Sequence, residues 1–495
     1  MKLGNTPEVK LGIVAVSRDC FPAELSKRRL DAVVAAAKGA GVKLIKCGVV
    51  IESESDAVKA AAELQGKGAN AVVVYLGNFG PEGPTTIFIE RFQGPAMACA
   101  AAEETGMDLF GGRGDAYCGM LNLSYNLSLR NLRVHIPAKP VGLPDELAAE
   151  IARFQGVAKI CVGVKALKVL AFGPRPHDFF ACNAPIKPLY DLGVEVMENS
   201  ELDLLELFKA AAGSKDIPAV AADMAKELGA GNSYPDMLQQ LAQYEVALRR
   251  FAAANLGSRQ FAVMANKCWP AFEKAFGFVP CYINSRMAAS GMPVACEVDI
   301  YGAVSEYMAQ LASDHPATIL DINNTVPPDM LKPKAALEGF DAGDLFMGFH
   351  CGNTPSCCLG KGCAIKYQLI MNRLMEGGKK PVITRGTLEG ALKPGDCSVF
   401  RVQSTAGCEL RGYVADGRVL DIDPKSFGAI GVIAIKGMSR FYRHVLVGGN
   451  YPHHTAVAFE KVGGVLFDAF KLLTGKTPSF PRAAGDLYPG ENPFA

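Results

Sequence analysis

The first 75 residues alternate short apolar runs with amphipathic ones, at a spacing that a parallel sheet accommodates. Residues 9–16 (VKLGIVAV) have the composition of a buried strand. Pro22 suits the first turn of a helix running to about residue 38, and Gly39 and Gly41 end it. Residues 42–50 read as a second strand, 55–66 as a helix and 71–75 (AVVVY) as a third strand. This alternation predicts a doubly wound parallel sheet. The loops after its first and third strands, residues 17–21 and 76–84, then fall at the carboxyl edge, where such sheets bind ligands. Arg18, Asn78 and Glu82 are the polar candidates there.

The Pro-rich stretch 136–144 (IPAKPVGLP) marks a boundary. A second α/β unit follows, with strands at KVLAF and VEVM and long amphipathic helices over 202–212 and 237–254. From about Pro327 the pattern changes to short alternating segments such as CSVFRVQS and CELRGYVADGRVLDI. These predict antiparallel β structure, with Ala415-Asp416-Gly417 as a hairpin turn. The expected fold class is α/β. Two doubly wound parallel-sheet domains (1–144 and 145–326) precede a mainly antiparallel β domain (327–495).

Composition excludes several functions. A net charge of +1, with no basic run longer than residues 27–29, offers no nucleic-acid surface. The N-terminus lacks a signal-peptide apolar core, and no apolar run approaches the ~18 residues of a membrane span. A cytoplasmic location is expected, so the 15 cysteines read as reduced thiols. No glycine-rich dinucleotide or phosphate loop follows the first strand.

The chemistry concentrates in residues 279–324. A Gly-Met-Pro turn at 291–293 precedes a helix expected to start near Glu297, with an apolar stripe at Ile300, Val304, Tyr307, Met308 and Leu311. Glu297 would then lie in the first turn, stabilised by the helix dipole. Residues 317–322 (ATILDI) read as a buried strand with Asp321 near its end, and a buried carboxylate needs a partner. Three of the seven histidines, His350, His453 and His454, sit in the Gly/Asn-rich loops GFHCGN and GGNYPHHTA. Two carboxylates with loop histidines make a mixed oxygen and nitrogen set suited to Mn²⁺. Cys351, Cys357, Cys358 and Cys363 match no C-x₂-C pair and read as small thiols in a tight loop.

In order along the chain, PVACEVDIYGAVSEYMAQLAS, LDINN, GFHCGN, GTLEGALKPGDCSVFRV and NYPHHTAVAF resemble the L-fucose isomerase/L-arabinose isomerase family. The most specific parts are the E-x-D-x-x-G segment and the late histidine pair. The resemblance implies a Mn²⁺-dependent aldose–ketose isomerase acting on a pentose, hexose or deoxyhexose by enediol proton transfer. Glu297 and Asp321 match carboxylates that bind the metal and serve as acid and base. His454 matches the shared histidine ligand, and His350 resembles the additional ligand of the arabinose branch. Substrate contacts are expected from Arg18, Asn78, Asn353 and His453. The resemblance also implies a homo-oligomer, with a hexamer favoured, in which the N-terminal domain of one subunit covers the active site of its neighbour. Two other readings stay open: a two-lobed sugar-binding protein, and an epimerase or aldolase using the same enediolate.

Overall fold

In a computed structural model, which describes residues 4–332 and 334–491, the N-terminal apolar runs form a five-stranded parallel sheet. Its strands are β1 (Leu11–Val16), β2 (Leu44–Ile51), β3 (Ala71–Leu76), β4 (Ala96–Ala101) and β5 (Val141–Gly142), in the order β2-β1-β3-β4-β5. β1, β3 and β4 are buried along their whole length, which is why they read as continuous apolar runs. Helices Ala23–Gly39, Glu54–Gly66 and Glu82–Phe92 connect them, the second opened by a Ser53/Asp56 capping box. Strand order reverses between β1 and β3. The loops of Arg18 and Asn78 meet at this switch point. This sheet belongs to one compact unit, Pro7–Gly163 with Asp468–Lys476.

The other compact unit comprises Val164–Phe467 and the short segments before Pro7 and after Lys476. It begins with a second parallel sheet, of order β7-β6-β8-β9: β6 (Leu167–Gly173), β7 (Glu195–Ser200), β8 (Phe261–Asn266) and β9 (Val294–Ala295). An eight-stranded sheet follows, made of β10 (Thr318–Asn324), β11 (Leu345–His350), β12 (Ala364–Tyr367), β13 (Arg385–Ala391), β14 (Gly395–Ser404), β15 (Leu410–Leu420), β16 (Ala429–Ala434) and β17 (His454–Ala458). Its order is β11-β10-β17-β14-β15-β16-β13-β12, and an extra β11–β16 pairing closes six strands into a barrel. All pairs are antiparallel except β13–β16. Two parallel sheets followed by an antiparallel barrel-like sheet is the fold class read from the sequence.

Helix Ile300–Ser313 joins these layers. It packs on β8 on one side and on β14 and β17 on the other. Nearly every residue is buried, so the apolar stripe widens to the whole circumference. Burying each large side chain, such as Tyr307 or Leu311, contributes about 1.5–3 kcal/mol.

Two local expectations are corrected. Ala415-Asp416-Gly417 is no turn: β15 runs straight through it. Asp416 accepts hydrogen bonds from Ser398 Oγ and from the Gly463 N–H at 2.9 Å. A Cβ on Gly417 would lie 2.4 Å from the Ala434 carbonyl oxygen. The hairpin between β14 and β15 turns instead at Thr405–Glu409, where Cys408 takes φ 62°. Asp321 does not end a strand of the parallel sheet either. It lies within β10, whose partners β11 and β17 are both antiparallel. Length and apolar content cannot tell which sheet a short buried strand joins.

Candidate active site

Register places the first pair of side chains. β10 and β17 run antiparallel with Asp321 directly opposite His454, and cross-strand neighbours have Cβ atoms only about 4.5–5.5 Å apart. His454 Nε2 lies 3.4 Å from Asp321 Oδ1. His453, one residue earlier, is partly exposed and puts its Nε2 3.7 Å from the same oxygen.

Glu297 arrives by a different device. The expected helix does not begin there. It begins at Ile300 with Asp299 as N-cap, whose side chain accepts the Gly302 N–H at 2.8 Å. Glu297 (φ 54°) and Val298 (φ 58°) both adopt left-handed backbone just before it. A β-branched residue pays steric strain in that region, and such strain is held at functional sites by surrounding structure. The kink brings Glu297 Oε2 to 3.2 Å from His454 Nε2.

Asp299, which sequence reasoning passed over, is fully buried behind His454. It meets His454 Nδ1 at 2.8 Å and holds Arg401 of β14 through two hydrogen bonds, one of 2.9 Å. Arg401 is itself wholly buried and also donates to Gln403. The E-x-D-x-x-G segment now has a physical reading. Glu297 faces His454, Asp299 orients it, and Gly302 leaves room, since a Cβ there would lie 2.4 Å from Asp299 Oδ2. The loop after β6 adds Cys182, with Sγ 3.6 Å from His454 Nδ1, and Phe179, edge-on to His453.

The electrostatics ask for a cation. Burial opposes charge on Glu297, but His454 beside it outweighs that and holds its carboxyl below the usual range. Burial likewise opposes charge on Asp299, yet Arg401 and His454 hold it well down. For Asp321 burial dominates, with Glu297 adding, and its pKa is pushed up to about 7. Burial should lower His454, but Cys182, Asp299 and Glu297 raise it well above its ordinary value. Positive charge is therefore favoured at Nε2. Three atoms there, Glu297 Oε2, Asp321 Oδ1 and His454 Nε2, are buried without a hydrogen-bond partner among the described residues. His454 Nε2 is close to each carboxylate oxygen in distance but not in hydrogen-bonding direction. Donors about 2.1 Å from an octahedral ion lie about 3 Å apart along an edge, close to the two spacings around His454 Nε2. Glu297 and Asp321 fall in two separate donor groups that share His454, one with Cys182 and one with His453. With Nδ1–H held by Asp299, Nε2 is the nitrogen that faces the two carboxylates, and a metal ion there would take the place of its proton. The residues present fit a divalent ion.

His350, at the end of β11, is buried and 5.7 Å from His454 between ring centroids. Burial lowers its pKa to about 4, so the ring is neutral. Its Nδ1 accepts the Cys351 N–H at 2.8 Å, which puts the remaining proton on Nε2. To ligate through Nε2 the ring would have to give up that hydrogen bond. Burial, with His454 adding, also lowers His453 to about 4. Asn353 is buried, and its Oδ1 has no hydrogen-bond partner among the described residues.

Arg18 and Asn78 belong to the other compact unit. Asn78 is fully buried. Its Oδ1 accepts the Arg18 and Gly80 N–H groups, and its Nδ2 donates to Ser17 Oγ. It clamps the switch-point loops together. Arg18 is half-exposed over the Phe79 ring, 4.9 Å from its centroid, with Nη1 3.9 Å from Glu82.

Comparison with known proteins gives the same direction. Residues 12–165 match the family model for the fucose/sulfoquinovose isomerase N-terminal domain, and residues 348–477 that for the L-fucose isomerase C-terminal domain. The chain is 25% identical over 327 residues to a sulfoquinovose isomerase of Alkalicoccus urumqiensis, covering 64% of this chain and 66% of that one. It is 23% identical over 342 residues to a sulfoquinovose isomerase of Priestia megaterium, covering 68% and 70%. The chain thus spans about two thirds of the length of these relatives. It belongs to the fucose isomerase family, a family of aldose–ketose isomerases.

Proposed function

We propose that this chain is a divalent-metal-dependent aldose–ketose isomerase whose ion is held by Glu297, Asp321 and His454. The observation that carries the reading is that two buried carboxylate oxygens, from β10 and from the kink before helix Ile300–Ser313, flank His454 Nε2 of β17, all three without a hydrogen-bond partner among the described residues. A bound divalent ion such as Mn²⁺ would supply Lewis acidity at the sugar's O1 and O2. The remaining work falls to the side chains. Glu297, kept ionised, is suited to take the proton from C2. Asp321, the second carboxylate, is placed to return a proton to the adjacent carbon. His350 offers Nε2–H as a donor to an oxygen of the sugar, or a fourth ligand if its hydrogen bond to Cys351 is released. His453 and Asn353 are placed to bind hydroxyls.

The substrate is proposed to be a pentose, hexose, deoxyhexose or, by likeness to the relatives, a 6-sulfonated hexose. Arg18 would suit two oxygens of the far end of the sugar. Of the N-terminal loop residues, Asn78 serves substrate by fixing that loop. The domain 1–144 is proposed to recognise substrate and contact a neighbouring subunit, in a hexamer or related oligomer. Helix Ala116–Leu129 supports this with an exposed stripe, Tyr117, Leu121, Tyr125 and Leu129, at helical spacing. No helix among the described residues is long and apolar enough to cross a membrane, and a cytoplasmic location remains part of the proposal. The test is a panel of aldoses, sulfoquinovose included, incubated with and without Mn²⁺ after EDTA stripping, with products identified by NMR. Metal-restored ketose formation is expected. Epimer or cleavage products would favour the epimerase or aldolase reading. Binding without conversion would favour a sugar-binding protein.

A further inference from the structure

Glu297 also lines a small cavity with an unusual lining. Cys268 follows β8, Cys296 follows β9, Cys281 opens helix Cys281–Ala289 and Cys351 follows β11. Four thiols far apart in sequence thus line one cavity with Glu273 and Glu297. Cys268 Sγ and Cys296 Sγ are 3.5 Å apart. One donor atom each from Cys268, Cys296 and Glu297 lies within 4.8 Å of the others. Glu273 adds an independent sign: it is fully buried, and neither carboxylate oxygen has a hydrogen-bond partner among the described residues.

These are the parts of a tetrahedral sulfur and oxygen site. Thiolates about 2.3 Å from a tetrahedral zinc ion lie about 3.8 Å apart, so the Cys268–Cys296 spacing needs little adjustment. A sulfur-rich set prefers Zn²⁺ or Cd²⁺, unlike the oxygen and nitrogen set around His454. We propose that Cys268, Cys296 and Glu297 form a second cation site, for a thiophilic divalent ion, completed by Cys281 or Cys351. Binding displaces one proton to solvent from each of the three ligating thiols and changes no oxidation state. Glu297 is one residue from Cys296 and cannot serve both ions fully, so a thiophilic ion would compete with the one at His454. That inhibitory consequence rests on the function proposed above. The binding itself does not.

The test uses full-length, chelator-stripped protein kept reduced with a phosphine, titrated with Cd²⁺ and read by thiolate-to-metal ultraviolet absorbance. One Cd²⁺ per chain with a thiolate band is expected. Cys268→Ser and Cys296→Ser should each weaken binding at least ~10-fold and shrink the band, while Cys357→Ser leaves both unchanged. Should Cys296→Ser not fold, Cys268→Ser, which lies outside the strands, carries the comparison. In Mn²⁺-loaded enzyme, Zn²⁺ should inhibit wild type more strongly than Cys268→Ser. Absence of a thiolate band, or a band indifferent to both substitutions, would overturn the site. A band in protein that isomerises no sugar would uphold the site and count only against the proposed function.

Discussion

Asp299 touches neither sugar nor ion in this account, yet it sets the tautomer of His454 and neutralises the buried Arg401. Asp299→Asn should therefore weaken Mn²⁺ binding about 10–100-fold. It should also cost about 3–5 kcal/mol in unfolding free energy, the scale for breaking a buried ion pair. Unchanged metal affinity in folded variant protein would make Asp299 purely structural. Glu297→Gln and Asp321→Asn keep shape and remove charge, and each should lower kcat at least ~10²-fold. Turnover of wild type in D₂O should place deuterium on the product carbon. Unlabelled product would point to hydride transfer. The sequence exposed Glu297, Asp321 and the histidine pair through residue type, although His454 opens strand β17 and does not sit in the loop expected. It hid the work of Asp299, because a carboxylate at a helix start has an ordinary capping role, and its partner Arg401 lies 102 residues away. It likewise hid the thiol cluster. The notable cysteines by spacing were Cys351, Cys357, Cys358 and Cys363, whereas the cavity joins Cys351 to thiols from three other segments.

At the level of elements, helix Ile300–Ser313 and strand β10 carry the site, and each was partly legible. The helical period was clear, but its start lay three residues beyond Glu297, because two left-handed residues cannot be read from side-chain pattern. β10 was visible as a strand, while its sheet depends on pairings with β11 and β17 made over long sequence distances. The helix also carries Glu306, buried with no hydrogen-bond partner for Oε2 among the described residues. Burial, with Asp299 adding, raises its pKa well above the usual carboxyl value. The folded chain therefore holds this proton more tightly than the unfolded one. The stabilisation is full below the unfolded carboxyl pKa of about 4.3 and is lost as pH rises through the elevated folded value. Glu306→Gln should raise the melting temperature over wild type at pH 8, with the gap closing toward pH 4. Melting curves that differ equally at both pH values would contradict this assignment.

For the whole molecule, the proposed metal residues all lie in the unit built around Val164–Phe467, and Arg18 lies in the other. If a neighbouring subunit supplies Arg18, mixing Arg18→Ala protein with Glu297→Gln protein and reassembling should restore part of the activity that each lacks. No recovery with proven subunit exchange would mean that each chain builds its own site. The central claim is narrower than assembly or substrate: one divalent ion sits where Glu297, Asp321 and His454 converge. Counting bound Mn²⁺ by electron paramagnetic resonance of the free ion, in EDTA-stripped protein, tests it directly. Wild type should bind one Mn²⁺ per chain at this site, and His454→Ala and Asp321→Asn should each bind it at least ~10-fold more weakly while remaining folded. Mn²⁺ binding of equal strength and number in wild type and both variants would contradict the account.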